Sequence, residues 1–257
     1  MVARVLVVQH DPDAGLNYFA DRLLAAGVTP DVVGPAAAAP VPTKLDGYAG
    51  VVVLGGAMGP SDDETAPWLP ATRELLRTAV ESEIPTLGVC LGSQLLTVAL
   101  GGEVRENPAG PEIGLSEISI ETEAARKDPL FAELSGLRVP AVQWHWLESI
   151  QLPAGATPLA SSPGCGIQAY RVGEAAWGVQ FHPEALSGTV SGWGEGDPGS
   201  LAAVSKSSEQ VTAEVRASDG ALETTWGGLA TRFARLVAAQ EAEARPELIA
   251  SSAQSGE

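Results

Sequence analysis

Short apolar runs recur along the chain, separated by stretches in which apolar residues return every three or four positions. Val5 to Val8 reads as a buried strand, Leu16 to Ala26 as a helix with Phe19, Leu23 and Leu24 inward, and Asp31 to Val33 as a second strand. A Pro- and Ala-rich loop at residues 35–43 leads to a third strand, Val51 to Leu54, and then to helical spacing over Ala71 to Glu83. Pro85 to Val89 is another strand-like run, and Leu95, Leu96, Val98, Ala99 and Leu100 continue beyond it as a helix. Strands that alternate with helical patterns predict an α/β fold, with an open, mostly parallel sheet flanked by helices.

After Gly101-Gly102 the pattern becomes strand-rich, with runs at Ile118 to Ile120, Ala141 to Trp144, Gly166 to Arg171 and Ala176 to Phe181. Residues 187–200 are rich in Gly and Ser and read as a connection or lid. Helical character returns over Leu201 to Ala217 and Ala221 to Ala239, where Leu222, Trp226, Leu229, Phe233 and Leu236 form one apolar stripe. The expected organisation is a main domain over residues 1–186, a linker with a C-terminal helical extension over 187–240, and a charged, small-residue tail over 241–257 that frays. No internal repeat is present.

Candidate chemistry enters where the strand ending at Val89 turns into a helix. Cys90 stands there, between Gly88 and Gly92. Glycine has no Cβ, so the chain can turn sharply and bring backbone close to the sulfur. A helix beginning at Leu91 also aims unpaired N–H groups at Cys90, which favours an anionic sulfur. Free cysteine is equally a common core residue. A second segment, Trp177-Gly178-Val179-Gln180-Phe181-His182-Pro183-Glu184, tips the reading towards chemistry. Its first residues alternate as a strand, and Pro183 biases His182 towards extended backbone. Residues two apart project to one side, so Glu184 can hold the His182 imidazole while the other ring nitrogen faces a thiol. Nucleophile, base and orienting acid then follow in the order Cys, His, Glu.

These two segments, GVCLGSQ and VQFHPEA, resemble the signatures of the class I (triad) glutamine amidotransferases, in the branch that includes stand-alone GMP-synthase glutaminases and γ-glutamyl hydrolases. A third family element, a Gly-Gly turn after an early strand, stands here as Gly55-Gly56-Ala57-Met58-Gly59. The resemblance extends over residues 1 to about 186 and implies a flavodoxin-like sheet. It further implies an oxyanion hole formed by the N–H groups of Gly56 and Leu91, with Gln94 near the substrate. Gln94, four residues after Cys90, is otherwise a polar residue one helical turn along. His145 matches a His-Gly loop of the family, but Trp146 replaces the glycine; it is either a pocket residue or a structural histidine with satisfied partners. His10 reads as a cap or turn residue. Cys165 has neither a helix start nor a partnered histidine and reads as inert.

Composition narrows the alternatives. Two cysteines in 257 residues argue against a disulfide framework and fit a reducing cytoplasm, and neither has metal-ligand spacing. The formal charge of −17 argues against nucleic-acid binding. The first apolar run is too short for a signal peptide, and no stretch reaches transmembrane length. The GGAMG turn lacks the Lys-Ser/Thr of a phosphate loop, and no dinucleotide fingerprint follows the first strand, so neither cofactor nor metal is expected. The substrate expected from the resemblance is glutamine or a γ-glutamyl small molecule. Three roles stay open: a glutaminase that feeds ammonia to a synthetase partner, a stand-alone γ-glutamyl hydrolase, or a silent regulatory module. Oligomeric state is not legible from the sequence.

Overall fold

The computed structural model describes the backbone of residues 2–254 and the side chains of residues 2–243. Its first half alternates strand and helix: β1 (Ala3–Val8), α1 (Phe19–Ala25), β2 (Val28–Val33), β3 (Gly50–Val53), α2 (Leu69–Glu81), β4 (Thr86–Val89) and α3 (Leu91–Ala99). Then come β5 (Glu103–Glu106), β6 (Glu112–Ile120), the short α4 (Thr122–Ala125), β7 (Arg138–His145), β8 (Leu147–Gln151), β9 (Thr157–Ser161), β10 (Ala169–Val172) and β11 (Ala176–Val179). Four helices close the described chain: α5 (Ser187–Gly196), α6 (Pro198–Ala203), α7 (Ser208–Arg216) and α8 (Asp219–Gln254).

Nine strands form one sheet in the order β2-β1-β3-β4-β11-β10-β9-β6-β7, while β5 and β8 pair separately. From β2 to β11 neighbouring strands run parallel; from β11 to β7 they are antiparallel. The central strands are apolar throughout because both of their faces are covered. Val5 and Val7 face α1 and α8, whereas Leu6 and Val8 face α2 and α3 with Leu75, Leu76, Leu95 and Leu96. Complete burial of one such side chain contributes about 1.5–3 kcal/mol.

Several local expectations are corrected. Leu24 is 54% exposed, because burying the Phe19 and Leu23 pair, one turn apart, rotates the next position towards solvent. Leu236 is only partly buried, although Leu222, Trp226, Leu229 and Phe233 form the predicted stripe. The strands β5, β8 and β9 gave no clear periodic signal: β5 is mostly exposed, β8 ends on two exposed residues, and β9 buries two consecutive residues rather than alternate ones. The Gly- and Ser-rich segment expected as a break forms α5 and α6 instead. Asp219 holds the start of α5 through the N–H and Oγ of Ser187, at 2.9 and 2.6 Å, and Val190 and Trp193 are buried. A Cβ on Gly194 would lie 2.3 Å from Ser208 Oγ, so the small residues of α5 serve its close approach to α7. The tail expected from residue 241 falls mostly outside the residues described at side-chain level.

Candidate active site

Cys90 occupies the link between β4 and α3 with φ 50 and ψ −107, a conformation that costs a non-glycine residue about 1–3 kcal/mol. The surroundings fix it. Its N–H donates to Val179 O at 2.8 Å, and its carbonyl accepts the N–H of Gln94 at 3.0 Å. The flanking glycines are steric requirements: a Cβ on Gly92 would sit 1.9 Å from Val53 O, and one on Gly88 would sit 2.5 Å from Gly92 O. The elbow is therefore wedged against β3.

Strand pairing delivers the second group. In the parallel pair β4 and β11, Gly88 lies opposite Gly178 and Val89 opposite Val179, so the chain leaving β11 runs past Cys90. His182 is anchored there by its N–H, which donates to Val142 O at 2.8 Å. Its Nδ1 lies 2.8 Å from Glu184 Oε1. Nε2 is thereby left free of Glu184 on the side of Cys90, whose own Sγ lies 3.9 Å from Trp144 O. Burial alone would depress the His182 pKa, but the negative charges of Glu184 and Cys90 outweigh it and hold the imidazole up at about 10. The Trp193 ring covers His182 with centroids 4.6 Å apart.

The Gly-Gly turn closes the same point. A Cβ on Gly55 would be 2.9 Å from His182 Cε1, and one on Gly56 would be 3.0 Å from Leu91 Cδ2. Ala57 N–H donates to Asp11 Oδ2 at 2.7 Å and pins the turn. Leu91, as the first residue of α3, has an N–H with no intrahelical acceptor. Gly56 and Leu91 thus stand side by side next to Cys90.

The remaining residues divide. Gln94 reaches the cavity, yet its Nε2 is shared between Leu147 O at 3.3 Å and Gln180 Oε1 at 3.2 Å. Gln180 in turn donates from Nε2 to Cys90 Sγ at 3.7 Å. The sequence reading gave Gln180 no role, although it lies two residues before His182 and shares its side of an extended chain. His145 borders the cavity and is engaged at both nitrogens: Nδ1 lies 2.9 Å from Leu147 O, and Nε2 lies 3.1 Å from both Gln143 Oε1 and Glu112 Oε2. Trp146, the departure from the family's glycine, turns outward and donates from Nε1 to Ser200 Oγ of α6 at 2.8 Å. His10 is not a cap: it is buried and accepts the Trp68 indole N–H at Nδ1, 3.0 Å away. Cys165 is buried, which pushes its thiol up to about 12.

The assembled groups open into a cavity of about 560 Å³ roofed by α5 and α6. This arrangement can attack a carbonyl carbon, protonate a leaving group and surround a developing oxyanion. Among the described residues no group of three or more His, Cys, Asp or Glu could hold a metal ion, and no helix is long and apolar enough to cross a membrane.

A family model described as glutamine amidotransferase class-I matches residues 13–191. The glutamine amidotransferase-like protein YfeJ of Salmonella typhimurium is 35% identical over 156 residues, covering 59% of this chain and 63% of that protein. Gamma-glutamyl peptidase 3 of Arabidopsis thaliana is 30% identical over 149 residues, covering 56% and 58%. The chain thus spans about three fifths of the length of these curated relatives. The crystal structure of a glutamine amidotransferase from Thermotoga maritima matches with a TM-score of 0.80 at 27% identity, covering 91% of this chain and 99% of that one.

Proposed function

Because the chain belongs to the class I glutamine amidotransferase family, matched over residues 13–191, we propose that it hydrolyses a γ-glutamyl amide through a thioester on Cys90. The observation that carries this reading is the His182 imidazole held by Glu184 at 2.8 Å beside the elbow cysteine, which is close enough to raise its pKa. The Cys90 sulfur attacks the γ-glutamyl carbonyl carbon, and the negative charge that develops on the oxygen is taken up by the N–H groups of Gly56 and Leu91. One such donor is worth about 3 kcal/mol. The C–N bond then breaks as His182 passes its proton to the departing nitrogen. A water molecule gives a proton back to His182 and attacks the thioester, releasing glutamate and returning Cys90 and His182 to their starting state.

Glutamine is the smallest such amide, and a glutaminase that supplies ammonia to a separate synthetase is the role the family suggests. The cavity favours a wider substrate. Its volume of about 560 Å³ lies in the range of clefts that enclose a whole small ligand, roomier than free glutamine needs, and α5 and α6 roof it from within the same chain. That supports the γ-glutamyl hydrolase reading over strict dependence on a partner. A silent module is the weakest reading, since Cys90, the His182–Glu184 pair and the Gly55-Gly56 turn converge on one cavity.

The test is release of ammonia or amine from glutamine and from γ-glutamyl amides by the purified protein, with the acyl group sought on the Cys90 peptide by mass spectrometry. Turnover with a trapped Cys90 adduct is expected. Undiminished turnover by the Cys90→Ala variant overturns the reading.

A further inference from the structure

One wall of the cavity differs in chemistry from the Cys90 elbow that it adjoins: Trp193 covers His182, and the Cys90 thiol reaches Trp144 O at 3.9 Å. Three tryptophans line it, Trp144, Trp146 and Trp193, and each has its indole N–H already committed. Trp144 Nε1 donates to Asp197 Oδ2 at 3.1 Å, Trp146 Nε1 to Ser200 Oγ at 2.8 Å, and Trp193 Nε1 to Asp13 O at 3.1 Å. What these side chains still offer a ligand is ring carbon with its negative π faces. Trp144 and Trp193 lie next to each other, with centroids 5.7 Å apart at 58°.

Carboxylates border the same space. Asp11, Asp13 and Asp197 line the cavity, and no lysine or arginine does so among the described residues. Asp11 holds the Ala57 N–H through Oδ2. Asp197 caps α6 through the Ser200 N–H at 3.0 Å and is held below the usual carboxylate range: burial opposes its ionisation, but the bonds from Ser200 and Trp144 outweigh that. Each of its oxygens keeps acceptor capacity beyond these single bonds. The Asp13 side chain is exposed at the rim, while its backbone carbonyl holds Trp193. Anionic oxygens beside aromatic faces, with no lysine or arginine among them and the His182 charge already facing Glu184, form a receptor for a cation and repel an anion.

We propose that the leaving group of the substrate is a cationic amine: the chain cleaves the γ-glutamyl amide of a diamine or polyamine, whose distal ammonium sits by Asp197, Asp13 and the Trp144–Trp193 pair. This rests on the Cys90 thioester reading above and names its substrate class. The chemistry balances with water alone. The Cys90 sulfur displaces the amide nitrogen, His182 protonates it, and the free diamine departs; water then releases glutamate. An α-amino-acid leaving group would bring a carboxylate against these same aspartates. The formal charge of −17 draws cations towards the molecule as well.

The experiment compares three amides of one length with the full chain: γ-glutamyl-1,4-diaminobutane, the neutral γ-glutamyl-n-pentylamide and the anionic γ-glutamyl-4-aminobutyrate. The expected kcat/KM is on the order of tenfold higher for the cationic amide than for the neutral one, lower again for the anionic one, with the cation preference shrinking as salt rises. Asp197→Asn keeps an N-cap side chain, and the cationic-to-neutral ratio should fall towards one. Asp13→Asn, which leaves the carbonyl for Trp193 in place, should lower the same ratio and serves if the first variant does not fold. Equal turnover of the cationic and neutral amides overturns the leaving-group proposal and leaves the hydrolase reading standing. No turnover of any of the three, with no acyl group trapped on Cys90, overturns both.

Discussion

The carbonyl of Val179 accepts the N–H of Cys90 at 2.8 Å. This one bond ties the elbow to the end of β11, three residues before His182. The charges of Glu184 and Cys90 around the imidazole then shape its behaviour with pH.

His182 is raised from 6.5 in the unfolded chain to about 10 in the fold, against burial, by Glu184 and Cys90. A raised base contributes stability that is complete below pH 6.5 and is lost as pH rises through about 10. Glu184→Gln removes the largest of the attracting charges, so the loss should begin at lower pH and the alkaline limb of kcat/KM should shift the same way. Thermal unfolding and initial rates measured across this window check both; superimposable profiles for the two proteins would count against the assigned pairing.

Cys90→Ala should reduce turnover on the order of 1,000-fold or more while the fold persists. Cys90→Gly loses the nucleophile equally but also relieves the positive φ of 50. It should therefore melt higher than the alanine variant, by about 1 kcal/mol of stability. Denaturant titration of the two inactive variants separates strain from chemistry.

Glycines that look alike in the sequence should respond in opposite ways. Gly92→Ala places a Cβ 1.9 Å from Val53 O and should unfold the elbow or abolish expression of folded protein. Gly192→Ala, in α5 with nothing within 4 Å of the new methyl, should stabilise by about 0.5–1 kcal/mol. Denaturation midpoints decide.

Gln180→Met removes the donor 3.7 Å from Cys90 Sγ and keeps the side chain near its original size. Alkylation of Cys90 by iodoacetamide at neutral pH should slow about threefold, since a donor to the reacting sulfur is lost. An unchanged rate, with the fold intact by circular dichroism, would assign Gln180 to holding Gln94 alone.

Local pattern carried a large part of this molecule. The strand before Cys90, the glycines around it and the two-residue step from His182 to Glu184 are written in adjacent positions, and short-range sterics make them visible. The alternation of strand and helix was visible for the same reason. The roof was hidden: α5 is built from Ser and Gly, whose propensities argue for a loop, and it forms because Trp193 and Val190 are buried and Asp219 holds its start.

By itself the sequence determined the fold class and singled out the candidate side chains, because each depends on neighbours a few residues away. Only the tertiary structure decided that β4 pairs with β11 in a register bringing Cys90 to His182, that Gln94 is bound to Gln180, and that both His145 nitrogens are occupied. It also set Asp13 and Asp197 on one cavity, 184 positions apart in the chain. Register and cavity walls arise from hydrogen bonds and packing between distant segments, and periodicity along the chain carries no term for which distant segment will arrive.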